Sequence, residues 1–289
     1  MQQRRQAAQR EHHKREGTEQ RQQAKPQRPA LIHGPVAVVE LRGIPTVHAE
    51  PRYCLPIARH LAAMTRTIAV SGASGKTGWR IAEELLRAGY RPRLLLQEHS
   101  EIPEPLRECE VHRLRLSDRA ALDGALTGCD GLVIATGARP SVDLTGPMRV
   151  DAWGVQHQVE SCQRLGIRRV VLVISLCAGR WRHPLNLFGL ILVWKRVGER
   201  SLECSGLDWT VIRPGGLSER EADLEQEGIR YSPADQQDSA SIPRRLVARC
   251  CLEALATPAS IGRIIEVTSS AELPPISLAN ALERFPQIA

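Results

Sequence analysis

The stretch AVSGASGKTGWR (69–80) sets Gly72, Gly75 and Gly78 three residues apart, with Ser74, Lys76 and Thr77 between them. Residues without a β-carbon at this spacing let a turn close tightly and bring its backbone against a bulky anion, so the chemistry on offer is the holding of phosphate. Two kinds of turn compete for it. A P-loop, G-x-x-x-x-G-K-[ST], ending in Gly75-Lys76-Thr77 would need glycine at position 70, which is Val70. The spacing G-x-x-G-x-x-G, running from an apolar strand into a helix, instead fits a dinucleotide turn. There the pyrophosphate sits at the helix N-terminus, where backbone N–H groups are free and the helix dipole favours negative charge. A lone glycine triplet is weak evidence, and its weight depends on the elements that hold it.

Those elements alternate regularly from Thr67 onward. TIAVSG is a short buried strand, KTGWRIAEELLRAG an amphipathic helix, RPRLLLQ a second strand and CEVHRLRL a third. SDRAALDGALTG reads as a helix with Ser117 or Asp118 as its N-cap. GLVIATGA is a fourth strand, DAWGVQHQVESCQRLG a helix, RRVVLVIS a fifth strand, ILVWKRVGERSLECSG a helix and LDWTVIRPGG a sixth strand. The helix SIPRRLVARCCLEALATP, the strand GRIIEVTS and a short helix near Leu278–Phe285 close the pattern. Continuous apolar strands separated by helices predict an α/β fold, a doubly wound parallel sheet covered on both faces. In that setting the glycine turn becomes a strong signal for a dinucleotide. Trp79, Trp153, Trp194 and Trp209 fall on these elements and read as core or pocket wall.

The net charge of +7 is unevenly placed. Residues 1–30 carry eight Lys/Arg against three Glu, and 31–66 carry four Arg against two Glu, which leaves 67–289 neutral. The basic character therefore belongs to the leader and argues for no nucleic-acid partner of the folded part. The Gln/Arg-rich opening has too few large apolar residues to offset its ordering entropy, so residues 1–63 read as a disordered basic leader or an upstream extension, able at most to touch a membrane surface. It lacks the apolar core of a secretory signal. Met64 opens MTRTIAVSGASG, and the domain is expected over 64–289. Eight scattered cysteines form no C-x-x-C and no Cys/His cluster with zinc spacing, so no metal is expected. They read as reduced, mostly buried thiols in a cytoplasmic protein. The apolar run LFGLILVW (187–194) is far too short for a transmembrane segment.

The motifs GASGKTG (72–78), GLVIATGA (131–138), VDAWG (150–154), HPLNLFGLILVWKR (183–196), SGLDWTVIRPGGL (205–217) and SIPRRLVA (241–248) resemble the atypical short-chain dehydrogenase/reductases. More narrowly, the chain is similar to the NAD(P)-binding proteins of cyanobacteria and chloroplasts, over about residues 67–270. The resemblance implies a Rossmann fold with a small C-terminal substrate lobe, and a bacterial cytoplasmic or stromal setting. It also implies roles for particular residues. Gly72, Ser74, Gly75, Thr77 and Gly78 would line the pyrophosphate, and Thr136, Gly137 and Ala138 would pass beside the adenosine. Lys195 would bond the nicotinamide ribose, with Pro214, Gly215 and Gly216 flanking the nicotinamide and Ser175 at the end of the fifth strand. For the cofactor, Lys76 inside the turn favours NADP through a 2′-phosphate. Glu98, twenty residues beyond Gly78, favours NAD through a free 2′-hydroxyl. The family often carries Arg where this chain has Gln97; the basic residue at Lys76 tips the expectation to NADP, with NAD as the alternative.

Such enzymes set a tyrosine four residues before the lysine, so that the ammonium lowers the phenol pKa. Here that position is Ile191, and no other tyrosine has lysine four residues later. The asparagine that the family places on the preceding helix corresponds to His157 in this reading, and Ser175, His183 and His157 are the candidate substitutes. Two functions stay open: an NAD(P)H-dependent oxidoreductase on a small or medium hydrophobic substrate using Ser175 and Lys195, or a non-catalytic NADP(H)-binding sensor or assembly factor read by a protein partner.

Overall fold

The computed structural model describes residues 66–285 except 139–142, 179, 181 and 188. The expectations for residues 1–63 lie outside the described residues. Contact density divides the chain after Arg52, and every described residue belongs to the second unit.

The first strand, β1 (Thr67–Ser71), is buried along its whole length, as its apolar run requires. Helix α1 (Gly78–Arg87) buries Ile81, Ala82 and Leu85, a helical stripe facing the sheet. There follow β2 (Arg91–Leu96), β3 (Glu110–Arg113), α2 (Arg119–Leu126) and β4 (Gly131–Ile134). Asp118, of the two candidate caps, starts α2: its carboxylate accepts the Ala121 N–H at 3.0 Å. A π-helical turn (Met148–Trp153) leads into α3 (Gly154–Leu165), then β5 (Arg169–Val173), α4 (Ile191–Glu203) and β6 (Asp208–Pro214). The last part comprises β7 (Gly216–Ser218), β8 (Gly228–Ser232), β9 (Ser241–Pro243), α5 (Arg244–Ala256), β10 (Arg263–Ser270) and α6 (Leu278–Leu282).

The main sheet runs β3-β2-β1-β4-β5-β6-β10-β8, parallel throughout except for β8, which pairs antiparallel with β10. Helices α1 and α5 cover one face, and α3 and α4 cover the other. The expected doubly wound α/β fold is thus present. Sequence reading passed over β8 and the small parallel sheet β7-β9, because strands of three to five residues carry too little periodicity to register. Trp153 is also corrected: it is half exposed instead of lining core or pocket. The chain leaves β1 on one side for β2 and returns on the other side as β4, so the topological switch lies between β1 and β4, where open α/β sheets receive ligands.

Among the described residues no helix is long and apolar enough to cross a membrane. Cys129, Cys162, Cys177, Cys250 and Cys251 are buried free thiols, Cys109 is partly covered and Cys204 is exposed. Burial pushes Cys162 and Cys250 up to about 12, away from the reactive thiolate. Alkylation of the native protein with iodoacetamide is therefore expected to mark Cys204 first among these seven, with Cys162, Cys250 and Cys251 modified only after unfolding. Peptide mass mapping reads the order, and early labelling of Cys250 would contradict the packing of α5.

Candidate functional site

The glycine turn joins β1 to α1 at the switch point. Gly72 adopts φ +80°, a left-handed conformation open to glycine, and a β-carbon on it would lie 2.8 Å from the Ala135 carbonyl oxygen beyond β4. A β-carbon on Gly78 would lie 2.1 Å from the Gly72 carbonyl oxygen, and one on Gly75 would lie 3.1 Å from it. The Gly75 N–H donates to that same oxygen at 2.8 Å. The turn is therefore folded against itself as tightly as backbone allows, directly before the N-terminus of α1, the end of a helix whose dipole favours an anion. Thr77 makes no side-chain cap; its hydroxyl instead accepts from Arg244 Nη1 at 2.9 Å, a contact reaching in from the start of α5. Ser74 sits partly covered in the same turn.

The ends of three strands converge beside this turn. Ser71 ends β1, Thr136 follows β4, and Ser175 follows β5. The hydroxyl oxygens of all three are buried and lack a hydrogen-bond partner. Buried polar atoms in native proteins are nearly always satisfied, so three orphans at one end of adjoining strands mark a place prepared for a ligand rich in hydroxyl and phosphate groups. A nicotinamide nucleotide has that chemistry, and the residues present fit it. The turn would hold the pyrophosphate, and Thr136, Gly137 and Ala138 after β4 would lie along the nucleoside.

The ammonium of Lys195, on the second turn of α4, donates to Asp151 Oδ1 at 2.9 Å. Asp151 lies on the π-helical turn and is 2 % exposed, with Lys195 only 12 % exposed at the side chain. The second carboxylate oxygen of Asp151 accepts the Ala138 N–H at 3.3 Å. A β-carbon on Gly137 would lie 3.7 Å from both Asp151 Oδ1 and Lys195 Nζ. Asp151 thus ties the lysine, the loop after β4 and α4 together, and it compensates a charge that burial would otherwise make costly. The wider turn of the π-helix sets this carboxylate under α4: a β-carbon on Gly198 would lie 2.0 Å from the Asp151 carbonyl oxygen.

On the other side, Pro214 ends β6, and a β-carbon on Gly215 would lie 2.3 Å from the Ala240 carbonyl oxygen. Gly216 opens β7 and donates to Ala240 O at 2.9 Å. The Leu176 N–H donates to Pro214 O at 2.9 Å, which places Ser175 next to this loop. Beneath it the Arg213 guanidinium is fully buried. It donates from Nε and Nη2 to the two oxygens of Glu199 (3.0 and 2.6 Å) and from Nη1 to Asp235 (3.0 Å). Burial pushes the Glu199 carboxyl up against the opposing pull of Arg213 and Arg196.

Lys76 is exposed at the turn and pairs with Glu219. Glu98 is exposed just after β2, where its backbone carbonyl accepts from Arg113 Nη1 at 2.8 Å, along with those of Gln97 (3.2 Å) and Ser100 (2.8 Å). His157 does not stand where the family's asparagine would face the lysine. Its Nδ1 bonds the Leu116 carbonyl at 2.9 Å, away from Lys195, and Asp151 occupies the facing position instead. His183 lies in the loop before α4, its Nδ1 accepting the Leu185 N–H at 3.3 Å. Ile191 is the first residue of α4 and is partly buried. Sequence reasoning missed Asp151, Arg244, Arg113 and Glu219. The VDAWG motif held a signal for the first, an acid one helical step before an apolar stripe, and nothing local pointed to the others. Among the described residues no group of three or more His, Cys, Asp or Glu is placed to hold a metal ion.

The profile of the NAD(P)H-binding family matches residues 72–258. The chain is 31 % identical over 227 residues to an uncharacterised chloroplastic protein of Arabidopsis thaliana, covering 74 % of this chain and 80 % of that one. It is 28 % identical over 233 residues to the sanguinarine reductase of Eschscholzia californica, covering 65 % and 84 %. A solved Bacillus halodurans structure, named as an NAD-dependent epimerase/dehydratase, superposes with a TM-score of 0.66 at 26 % identity, covering 76 % of this chain and 99 % of that one.

Proposed function

Because the chain belongs to the NAD(P)H-binding family, as an atypical short-chain dehydrogenase/reductase, we propose that it is an NADP(H)-dependent oxidoreductase acting on a small or medium hydrophobic substrate without the usual tyrosine. The observation that carries this reading is the buried Lys195–Asp151 pair facing Gly137, with the unpartnered Ser175 hydroxyl at the neighbouring strand end. When bound, the nicotinamide supplies or accepts a hydride. Lys195 gives one of its three N–H groups to Asp151 and keeps two for ribose hydroxyls. Ser175 donates a hydrogen bond to the oxygen of a substrate carbonyl as negative charge develops on it, and water supplies the proton. Lys76 supports NADP, while Gln97, standing where the family usually carries Arg, removes one phosphate contact, and Glu98 is the residue that would favour NAD instead.

A hydrophobic substrate is supported by exposed leucines on the segments flanking the Lys195 pair. Leu144 lies just before the turn that carries Asp151, and Leu185, Leu187 and Leu190 lie just before α4. The two segments pack together, since a β-carbon on Gly189 would lie 2.8 Å from Leu144 O. Exposed apolar residues gathered on neighbouring segments in this way mark a binding surface more often than apolar residues scattered singly. The second reading, a cofactor-binding sensor or assembly factor read by a protein partner, is favoured by one observation: Ile191 stands where the proton donor would be.

The test titrates the protein with NADPH and NADH, then follows loss of reduced-nicotinamide absorbance across a panel of apolar carbonyls and enones. Consumption of NADPH with at least one substrate is expected, reduced by about 10²-fold in Lys195→Ala as the cofactor loses its orientation. Tight NADPH binding with no consumption across the panel would overturn the enzyme reading in favour of the sensor.

A further inference from the structure

The one cation inside the glycine turn is already engaged by a carboxylate from a distant part of the chain. Lys76 pairs with Glu219, on the segment that leaves β7 for β8. Two residues further, Glu221 pairs with Arg80 of α1 and accepts from Arg245 Nε of α5 at 3.0 Å. Arg245 also reaches Glu83 at 2.5 Å and Glu84 at 3.3 Å. Arg80 and Arg245 are buried, with their guanidinium carbons 4.3 and 5.1 Å from the Trp79 ring centre. The segment is therefore anchored through Glu221. The Lys76–Glu219 pair lies beside that anchor, with Arg244 and Arg80 close enough to attract Glu219, but it is not part of it. Both side chains are more than half exposed, where water screens the pair and either partner can leave at small cost.

We propose that Glu219 is a specificity-determining residue, a carboxylate that competes with the 2′-phosphate of NADP(H) for Lys76 and so limits the preference of the site for NADP(H) over NAD(H). The inference rests on the reading of Lys76 as the 2′-phosphate contact. A phosphate and a carboxylate carry the same sign of charge. Glu219 must give up the lysine when a 2′-phosphate arrives, because the two anions cannot both hold it closely without repelling each other. A free 2′-hydroxyl imposes no such choice, so NADH binds with the pair intact and the penalty falls on NADPH alone. Because Glu221 holds the segment independently, releasing Glu219 needs no movement of the lobe. The effect is then that of one exposed ion pair.

The experiment measures dissociation constants of NADPH and NADH by calorimetry for the wild type, Glu219→Gln, Lys76→Ala and the double variant. Glu219→Gln is expected to tighten NADPH about three- to fivefold while NADH changes less than about twofold, a gain that shrinks as salt is raised. In the Lys76→Ala background the same substitution is expected to have no effect on the ratio, since a coupling between neighbours disappears when one partner is absent. An equal change for both nucleotides, no change, or a gain that persists without Lys76 would overturn the proposal. Lys76→Ala separates that failure from failure of the underlying reading. If it weakens NADPH selectively while Glu219→Gln is silent, only the competition is wrong. If it leaves the NADPH to NADH ratio untouched, the assignment of Lys76 falls and the proposal falls with it.

Discussion

Replacing Gly78 by alanine is expected to weaken nicotinamide-nucleotide binding by about 10- to 10²-fold while the rest of the domain still folds. The added β-carbon would lie 2.1 Å from the Gly72 carbonyl oxygen, 2.7 Å from its carbon and 3.0 Å from Ala73 Cα. All three obstacles are backbone, so no side chain can swing aside. The turn would have to open and break the 2.8 Å bond from Gly75 N–H to Gly72 O. Gly72 is itself held against Ala135, so the disturbance passes to the loop that carries Thr136 and Gly137. Overpacking of this kind costs about 1–3 kcal/mol of stability. Losing even one charge-assisted backbone hydrogen bond to a pyrophosphate costs about 1.5–3 kcal/mol of binding, so affinity should fall by about 10- to 10²-fold. Gly89→Ala is the contrasting control. Nothing lies within 4 Å of its β-carbon, and only its φ of +83° is strained, so it should lose about 1 kcal/mol of stability and leave binding unchanged. Thermal melting with and without NADPH reads both effects, and a Gly78→Ala protein that binds with wild-type affinity would remove the turn from the site.

Arg213→Leu is expected to cost the most stability of any single change near the site. Arg213 is 2 % exposed and Glu199 0 %, and the two are joined by a two-pronged pair beneath the Pro214–Gly216 loop. Removing the arginine leaves Glu199 with Arg196 as its remaining cation, and an undercompensated buried carboxylate costs about 3–5 kcal/mol. Desolvation already pushes the Glu199 carboxyl up, and without Arg213 that push is less opposed. The folded variant then binds a proton at pH values where the unfolded chain does not. Its stability must therefore fall as pH rises above the ordinary carboxylate range, and the deficit against wild type must shrink on acidification. Urea unfolding at about pH 7 and about pH 5 tests the sign. A double variant, Arg213→Leu with Glu199→Leu, removes both charges and should recover much of the loss. A deficit that stays constant with pH, or a double variant no better than the single, would mean that the loss comes from packing or from Asp235 and Glu266, which Arg213 also reaches, and not from Glu199.

Much of the architecture was legible from residues close to one another along the chain. The apolar runs around Val70, Val133 and Val171 announced buried parallel strands, because a strand covered on both faces has no solvent side on which to place polar residues. The spacing of Gly72, Gly75 and Gly78 announced the turn, because absent β-carbons are a local property and the collisions they avoid lie within the same few residues. His157 shows the limit of this reasoning. Its place on a helix before Lys195 suggested a partner, but helical phase turned it toward Leu116 and turned Asp151 inward.

The amino-acid sequence by itself determined the α/β winding and the nature of the group that the turn can hold. The tertiary structure alone decided which polar side chains meet: Lys195 with Asp151 across 44 residues, Lys76 with Glu219 across 143, and Arg244 with the Thr77 hydroxyl across 167. Backbone patterns follow from sterics and burial over a few neighbours, so they are written locally. An ion pair needs two long side chains brought within a few ångströms by the closure of the whole sheet. Either partner alone, read in sequence, is only a surface charge.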